Sequence, residues 1–389
     1  MVILPIGSGK GGVGKSLLAT NLSIALAEAG RKVALADLDL GASNAHTMLG
    51  IRAVSRGIGT FLSVPHTRFD QVVLDTEYRG LSFIPGDAEV PGIAILKAAQ
   101  KKRLIRCLES LAVDFLVLDL GPGSGANALD FFLLSPGGIL VTTPALTSIL
   151  NAYLFLKNAV FRLMYAAVDR QSRAFAVLEE TRKEGGAGLQ RTFVPRILER
   201  ISREDPQSHA RLTDLIGGMR PRLVLNMVED PSDADKGEKL RRSAREYLGV
   251  EVAHLGVIFR DELQAVALGS RIPILRYKPG SVLSRAVYRI AEKLLSARPD
   301  ETGAAQWRAG AAAGGEAEDG YPAVEAEAEA DFKDMRRDLE DLLHSGALTM
   351  ADLVESVRTQ QVELATLRRE NAQLRARLQR GALREGSRT

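Results

Sequence analysis

The chain has 389 residues, of which 46% are hydrophobic, and its 51 Lys and Arg against 48 Asp and Glu give a formal net charge of +3. This composition supplies a sizeable core, while the charge alone argues neither for nor against a nucleic-acid partner. The single cysteine, Cys107, excludes an internal disulfide and a Cys-x-x-C site, and no run approaches the roughly 18 apolar residues of a membrane span.

The first apolar run, Val2, Ile3, Leu4 and Ile6, predicts a strand rather than a signal peptide, so a cytoplasmic protein is expected. It enters Gly7-Ser8-Gly9-Lys10-Gly11-Gly12-Val13-Gly14-Lys15-Ser16. The spacing of Leu18, Leu22, Ala25 and Leu26 then predicts a helix from Lys15 to Ala29, closed by Gly30. Strand, glycine-rich turn and helix in this order make a phosphate cradle. Backbone N–H groups turn inward, the helix adds its positive end, Lys15 reaches the β/γ-phosphates and Ser16 can ligate Mg²⁺. A second strand, Lys32 to Asp37, ends in Asp37-Leu38-Asp39, which places carboxylates in the same crevice.

Residues 51–92 are expected to hold a short helix near Phe61 and a strand at Leu81 to Ile84. Residues 93–111 read as an amphipathic helix with Lys97, Lys101, Lys102, Arg103 and Arg106 on or near its outer, solvated surface. The run Asp114 to Leu120 is a buried strand ending at Asp119, a Walker B pattern whose carboxylate would hold Mg²⁺ through water. Gly121 to Gly125 follows as a flexible loop, and then a strand from Gly138 to Thr142. An apolar helix, Leu146 to Ala167, is expected to pack mostly on the sheet, and about 169–219 reads as a charged helical insertion. Strands Arg222 to Met227 and Val252 to Ile258 and a closing helix, Ser281 to Ala297, complete an α/β domain with a mostly parallel sheet flanked by helices.

The loop Lys10-Gly11-Gly12-Val13-Gly14-Lys15-Ser16 carries two lysines and resembles the deviant Walker A motif of the MinD/ParA group of P-loop ATPases. The likeness extends over about 1–298, is strongest at 7–50 and 114–144, and looks nearest to the FlhG branch, which regulates flagellar placement and number. It implies an ATP-hydrolysing domain that takes ATP and Mg²⁺ and forms a homodimer with the nucleotides sandwiched between subunits. Gly9, Lys10, Gly11, Gly12, Val13, Gly14, Lys15, Ser16 and Asn226 would bind nucleotide, Asn226 reading the adenine edge. Lys10, reaching the partner subunit's phosphates, Lys15 and Asp39 would be catalytic. Ser16, Asp39 and, through water, Asp119 would serve the metal. Glu229, three residues after Asn226, leaves GTP in view beside ATP.

Asn44 matches a switch residue of the group, whereas His46 stands where many MinD-type proteins have aspartate. The related iron–sulfur carriers and nitrogenase-type reductases use paired cysteines, which one copy of this chain does not supply. A protein partner is also implied, with DNA or a membrane surface as other candidates and a cytoplasmic location peripheral to the membrane or pole. The rival readings are a ParA-like DNA-partitioning ATPase and a coiled-coil scaffold with a structural nucleotide.

After the domain, 299–330 read as a flexible acidic linker, with seven carboxylates and no Lys or Arg from Glu316 to Asp331. Within 331–380, Met350, Leu353, Val357, Gln360, Leu364, Leu367, Asn371, Leu374 and Leu378 alternate at a and d positions. That spacing predicts a coiled coil, and Asn371 at a favours a parallel pair. Residues 381–389 are basic and are expected to form a disordered end.

Overall fold

The computed structural model describes residues 1–52, 54–86, 96–183, 193–297 and Trp307. The linker, the coiled coil and the basic end predicted from the sequence lie outside the described residues, apart from Trp307. The elements run β1 (Val2–Gly7), α1 (Lys15–Glu28), β2 (Val33–Leu38), α2 (Ala45–Met48), α3 (Ile58–Ser63), β3 (Leu74–Asp75), β4 (Leu81–Ile84), α4 (Ala98–Glu109), β5 (Phe115–Leu120), α5 (Ala126–Phe132) and β6 (Ile139–Thr142). They continue with α6 (Leu146–Ala167), α7 (Arg173–Lys183), α8 (Val194–Glu204), α9 (Pro206–Gly218), β7 (Arg222–Val228), α10 (Ala234–Ser243), β8 (Ala253–Phe259), α11 (Leu263–Gly269), α12 (Ile274–Tyr277) and α13 (Val282–Ser296).

Eight strands form one sheet in the order β3-β4-β2-β5-β1-β6-β7-β8. All neighbours are parallel except β3 and β4. β1, β2 and β5 are buried along almost their whole length, as continuous apolar runs require when helices cover both faces. One face is closed by α1 and α13, the other by α3 to α10. The parallel arrangement brings the carboxyl ends of β1, β2, β5 and β7 to one edge, where their loops build the site.

The helices that follow α6 explain its composition. A helix on one sheet face needs only one apolar stripe, yet α6 buries Leu150, Phe155, Leu156, Val160, Phe161, Leu163 and Met164. Its outer side is covered by α7, α8 and α9, whose Val177, Leu178, Ile197, Ile201, Leu212 and Ile216 join the same hydrophobic cluster. The Tyr165 hydroxyl donates to Leu178 O at 3.1 Å, and its ring meets Phe175 edge-on.

Two features of α4 differ from expectation. Leu96 and Lys97 lie outside the helix, which begins at Ala98 because the Lys97 N–H is taken by the Gln100 side chain at 3.0 Å, a cap that fixes the first turn there; residues 93–95 of the expected helix lie outside the described residues. Its basic face is also partly internal. Lys101 is turned in to Asp130 of α5, while Arg103, exposed as expected, lies 4.1 Å over the Phe61 ring. Asp130 also receives Arg162 of α6 through Nε at 2.7 Å and Nη2 at 3.0 Å, so one carboxylate ties three helices together. Asp130→Ala leaves two half-buried cations facing each other. It should lower unfolding stability in urea by about 2–3 kcal/mol; a change near zero would show the cluster to be solvated.

Candidate nucleotide site

β1 delivers residues 8–14 to the N-terminus of α1, whose first turn carries no acidic residue. The loop is pressed between neighbouring elements. A Cβ on Gly9 would sit 1.8 Å from Asn151 O of α6, so no side chain fits there without moving the loop. Gly14 adopts φ +90° and lies against the Asn226 amide, 2.2 Å from where its Cβ would be. Gly9→Ala should therefore displace the cradle and cut affinity for Mg·ATP at least tenfold by calorimetry, on the order of 1.4 kcal/mol; unchanged affinity would show the loop free to shift.

Lys15 is 7% exposed at the start of α1. Burial lowers its pKa, while the charges of Asp119 and Asp39 pull it back up. Lys10 stands on the exposed crest of the same loop, with its backbone carbonyl held by the Ser8 hydroxyl at 2.7 Å. The two lysines thus occupy opposite environments within one turn.

Opposite the loop, β2 and β5 pair in a register that sets Asp37 beside Asp119. Asp37 is fully buried, and burial raises its pKa. Its oxygens accept the Asp39 N–H at 3.1 Å, the Ser43 hydroxyl at 2.7 Å and the Ala45 N–H at 3.1 Å. It therefore shapes the 39–45 loop instead of facing a ligand. Asp39, the next carboxylate out, is half-buried and faces the loop after β5, its Oδ1 lying 3.3 Å from where a Cβ on Gly121 would be. Gly123 of that loop donates its N–H to Ser8 O at 3.1 Å, joining it to the cradle.

Asp119 is fully buried, and neither carboxylate oxygen has a hydrogen-bond partner. Burial, then the charge of Asp37, pushes its pKa up to about 8, offset in part by the Ser16 hydroxyl and Lys15. Two unpartnered buried acceptors beside a hydroxyl and a lysine fit a hydrated cation held next to phosphates. Ser16, Asp119 and Asp39 are the residues that would hold it.

Asn226 is buried near the end of β7, and its Nδ2 donates to Val13 O at 2.8 Å. A bulge causes this. The β7–β8 register shifts between Leu225 and Val228, and Met227 takes φ +56°, which turns Asn226 into the cradle and leaves Met227 exposed. The expected base reader thus also anchors the phosphate loop. Of the other expected residues, Gly11 and Gly12 are exposed on the loop and Val13 is buried beneath it. Asn44 is exposed at the start of α2, while the neighbouring His46 is half-buried. The wall formed by Asn151 was missed, because a helix carbonyl leaves no mark in the sequence.

Residues 1–159 match a family model described as ParA, NUBPL iron-transfer P-loop NTPase. The chain is 30% identical over 156 residues to the flagellum site-determining protein YlxH of Helicobacter pylori, covering 40% of this chain and 52% of that protein. It is 36% identical over 145 residues to an iron–sulfur cluster carrier protein of Bacillus subtilis, covering 37% of this chain and 40% of that one. The chain therefore spans about half, or less, of the length of these relatives. In fold it resembles the septum site-determining protein MinD of Pyrococcus horikoshii complexed with Mg-ADP, with a TM-score of 0.51 and 21% identity over 76% of this chain and 96% of that one. With the cradle, the two loop lysines and the paired carboxylates already in place, residues 1–159 carry a likeness to the ParA family of P-loop NTPases.

Proposed function

We propose that the protein is an ATP-binding and ATP-hydrolysing switch of the MinD/ParA type that dimerises around ATP and acts in spatial organisation inside a bacterial cell. Similarity to a flagellum site-determining protein favours flagellar placement or number as its task. The observation that carries the reading is the division of labour between the loop lysines. Lys15 is buried against the carboxylates and serves the subunit's own phosphates, while Lys10 is exposed and free to serve those of a second subunit.

In this reading the loop N–H groups and Lys15 hold the β- and γ-phosphates, and Asp39 orients the attacking water. Bound Mg²⁺ would neutralise the charge developing on the β- and γ-oxygens. Asn226 fixes the loop from below through Val13. Asp39→Ala should lower ATP turnover by about 10²-fold or more while nucleotide affinity stays within a few-fold; turnover at the wild-type rate would remove Asp39 from the chemistry.

The family description and the Bacillus relative favour a second reading, iron–sulfur carrying. Against it, the chain has one cysteine, Cys107, half-buried on α4 and packed against the core. Anaerobic reconstitution with iron and sulfide should leave the protein without a cluster absorption band; a stable band would transfer the proposal to that activity.

A further inference from the structure

Trp307 is the chain's single tryptophan. It is only 6% exposed and belongs to the hydrophobic cluster that contains Leu212, Leu215 and Ile216 of α9. The end of α9 is shaped for it. In a regular helix Leu215 O would accept the N–H of Met219, but that N–H turns to Ile216 O at 3.1 Å. The indole N–H takes the carbonyl left over, at 3.1 Å. Gly218 supplies the space, since a Cβ there would lie 3.0 Å from the indole Cδ1. An apolar socket with one buried acceptor suits a tryptophan, which brings both a large apolar ring and a donor.

We infer that α7, α8 and α9 form a docking platform for the C-terminal tail, held in cis through Trp307 of the same chain. α13 ends at Ser296 on the α1 face of the sheet, whereas the socket lies on the α6 face. Trp307 is thus seated on the side of the sheet opposite α13. This assignment is independent of what the nucleotide site does. It accounts for these helices twice over: they cover α6, and they seat the tail.

Because Trp307 is alone, its fluorescence reports docking directly. In the full chain we expect blue-shifted emission, poor quenching by acrylamide and no change on hundredfold dilution. Gly218 has no left-handed φ, so valine suits its backbone, and Gly218→Val should expel the indole. Emission should then shift red and the quenching constant rise several-fold, with Mg·ATP affinity unchanged. As a second readout, Trp307→Ala should speed tryptic cleavage after Arg308 several-fold. Solvent-exposed emission in the wild type, a spectrum unmoved by Gly218→Val, or cleavage unaffected by Trp307→Ala would overturn the proposal. Emission that shifts red on dilution would also overturn it, in favour of docking on a second copy.

Discussion

Replacing Lys10 by alanine is expected to lower ATP turnover about 10³-fold or more while nucleotide affinity stays within about threefold. The asymmetry follows from exposure. Lys15 is 7% exposed and feels the charges of Asp119 and Asp39, so the subunit's own phosphates would have their cation without Lys10. A lysine on the crest adds little to ground-state binding within one subunit. Placed against the phosphates of a second subunit, it would meet charge that develops only as the γ-phosphoryl leaves, so its loss falls on turnover. Stopped assays of turnover beside calorimetric binding separate the two effects. An equal loss of both would show that Lys10 serves its own nucleotide, and no loss in either would favour the scaffold reading.

Asp119→Asn is expected to stabilise the nucleotide-free protein while abolishing Mg²⁺-dependent turnover. The sign follows from where the proton sits. An aspartate in the unfolded chain titrates near pH 4, whereas Asp119 in the fold is pushed up to about 8. Between those values the folded state holds a proton that the unfolded state has lost. Stability without nucleotide therefore falls as pH rises from about 4 to about 8. A bound cation needs the ionised carboxylate, so binding releases a proton, and affinity for Mg²⁺ with nucleotide rises with pH up to about 8 before flattening. Removing the charge at about pH 8.5 should raise stability by about 1 kcal/mol or more, roughly 2–4 °C in Tm for a domain of this size. Melts at that pH and near pH 6 check the claim. A variant that keeps the wild-type pH dependence would assign it to another group, Asp37 being the nearest.

The sequence was most legible where local chemistry and long-range placement agree. The glycines and lysines of 7–16 dictate a phosphate loop wherever a strand feeds a helix, and β1 and α1 stand on either side of it. α6 was readable residue for residue, since 22 residues without a breaker admit only a helix. Asp37 could be separated from Asp39 in outline, but its three acceptor bonds depend on a loop folding back from residues 39 to 45.

What was not legible depends on partners distant in the chain. Lys101 reads as a surface cation until Asp130 and Arg162 are brought to it. Asn226 reads as a ligand for a base. Its bond to Val13 depends on a left-handed Met227, a conformation that methionine does not advertise. Gly9 looks like any loop glycine until Asn151 O lies against it. The insertion reads as charged and superfluous because its apolar residues are few and spaced for a helix surface that the sequence does not place beside them.

The most direct test of the switch is the solution mass of residues 1–310, which end before the predicted coiled coil, with and without Mg·ATP, measured by light scattering on wild type and Lys10→Ala at concentrations where turnover is followed. The account predicts that ATP drives the wild type to a larger assembly of paired nucleotide domains, that hydrolysis reverses it, and that Lys10→Ala fails to turn over. A mass that ATP leaves unchanged in the wild type, with turnover proceeding normally, would contradict a sandwich and place all of the chemistry within one subunit.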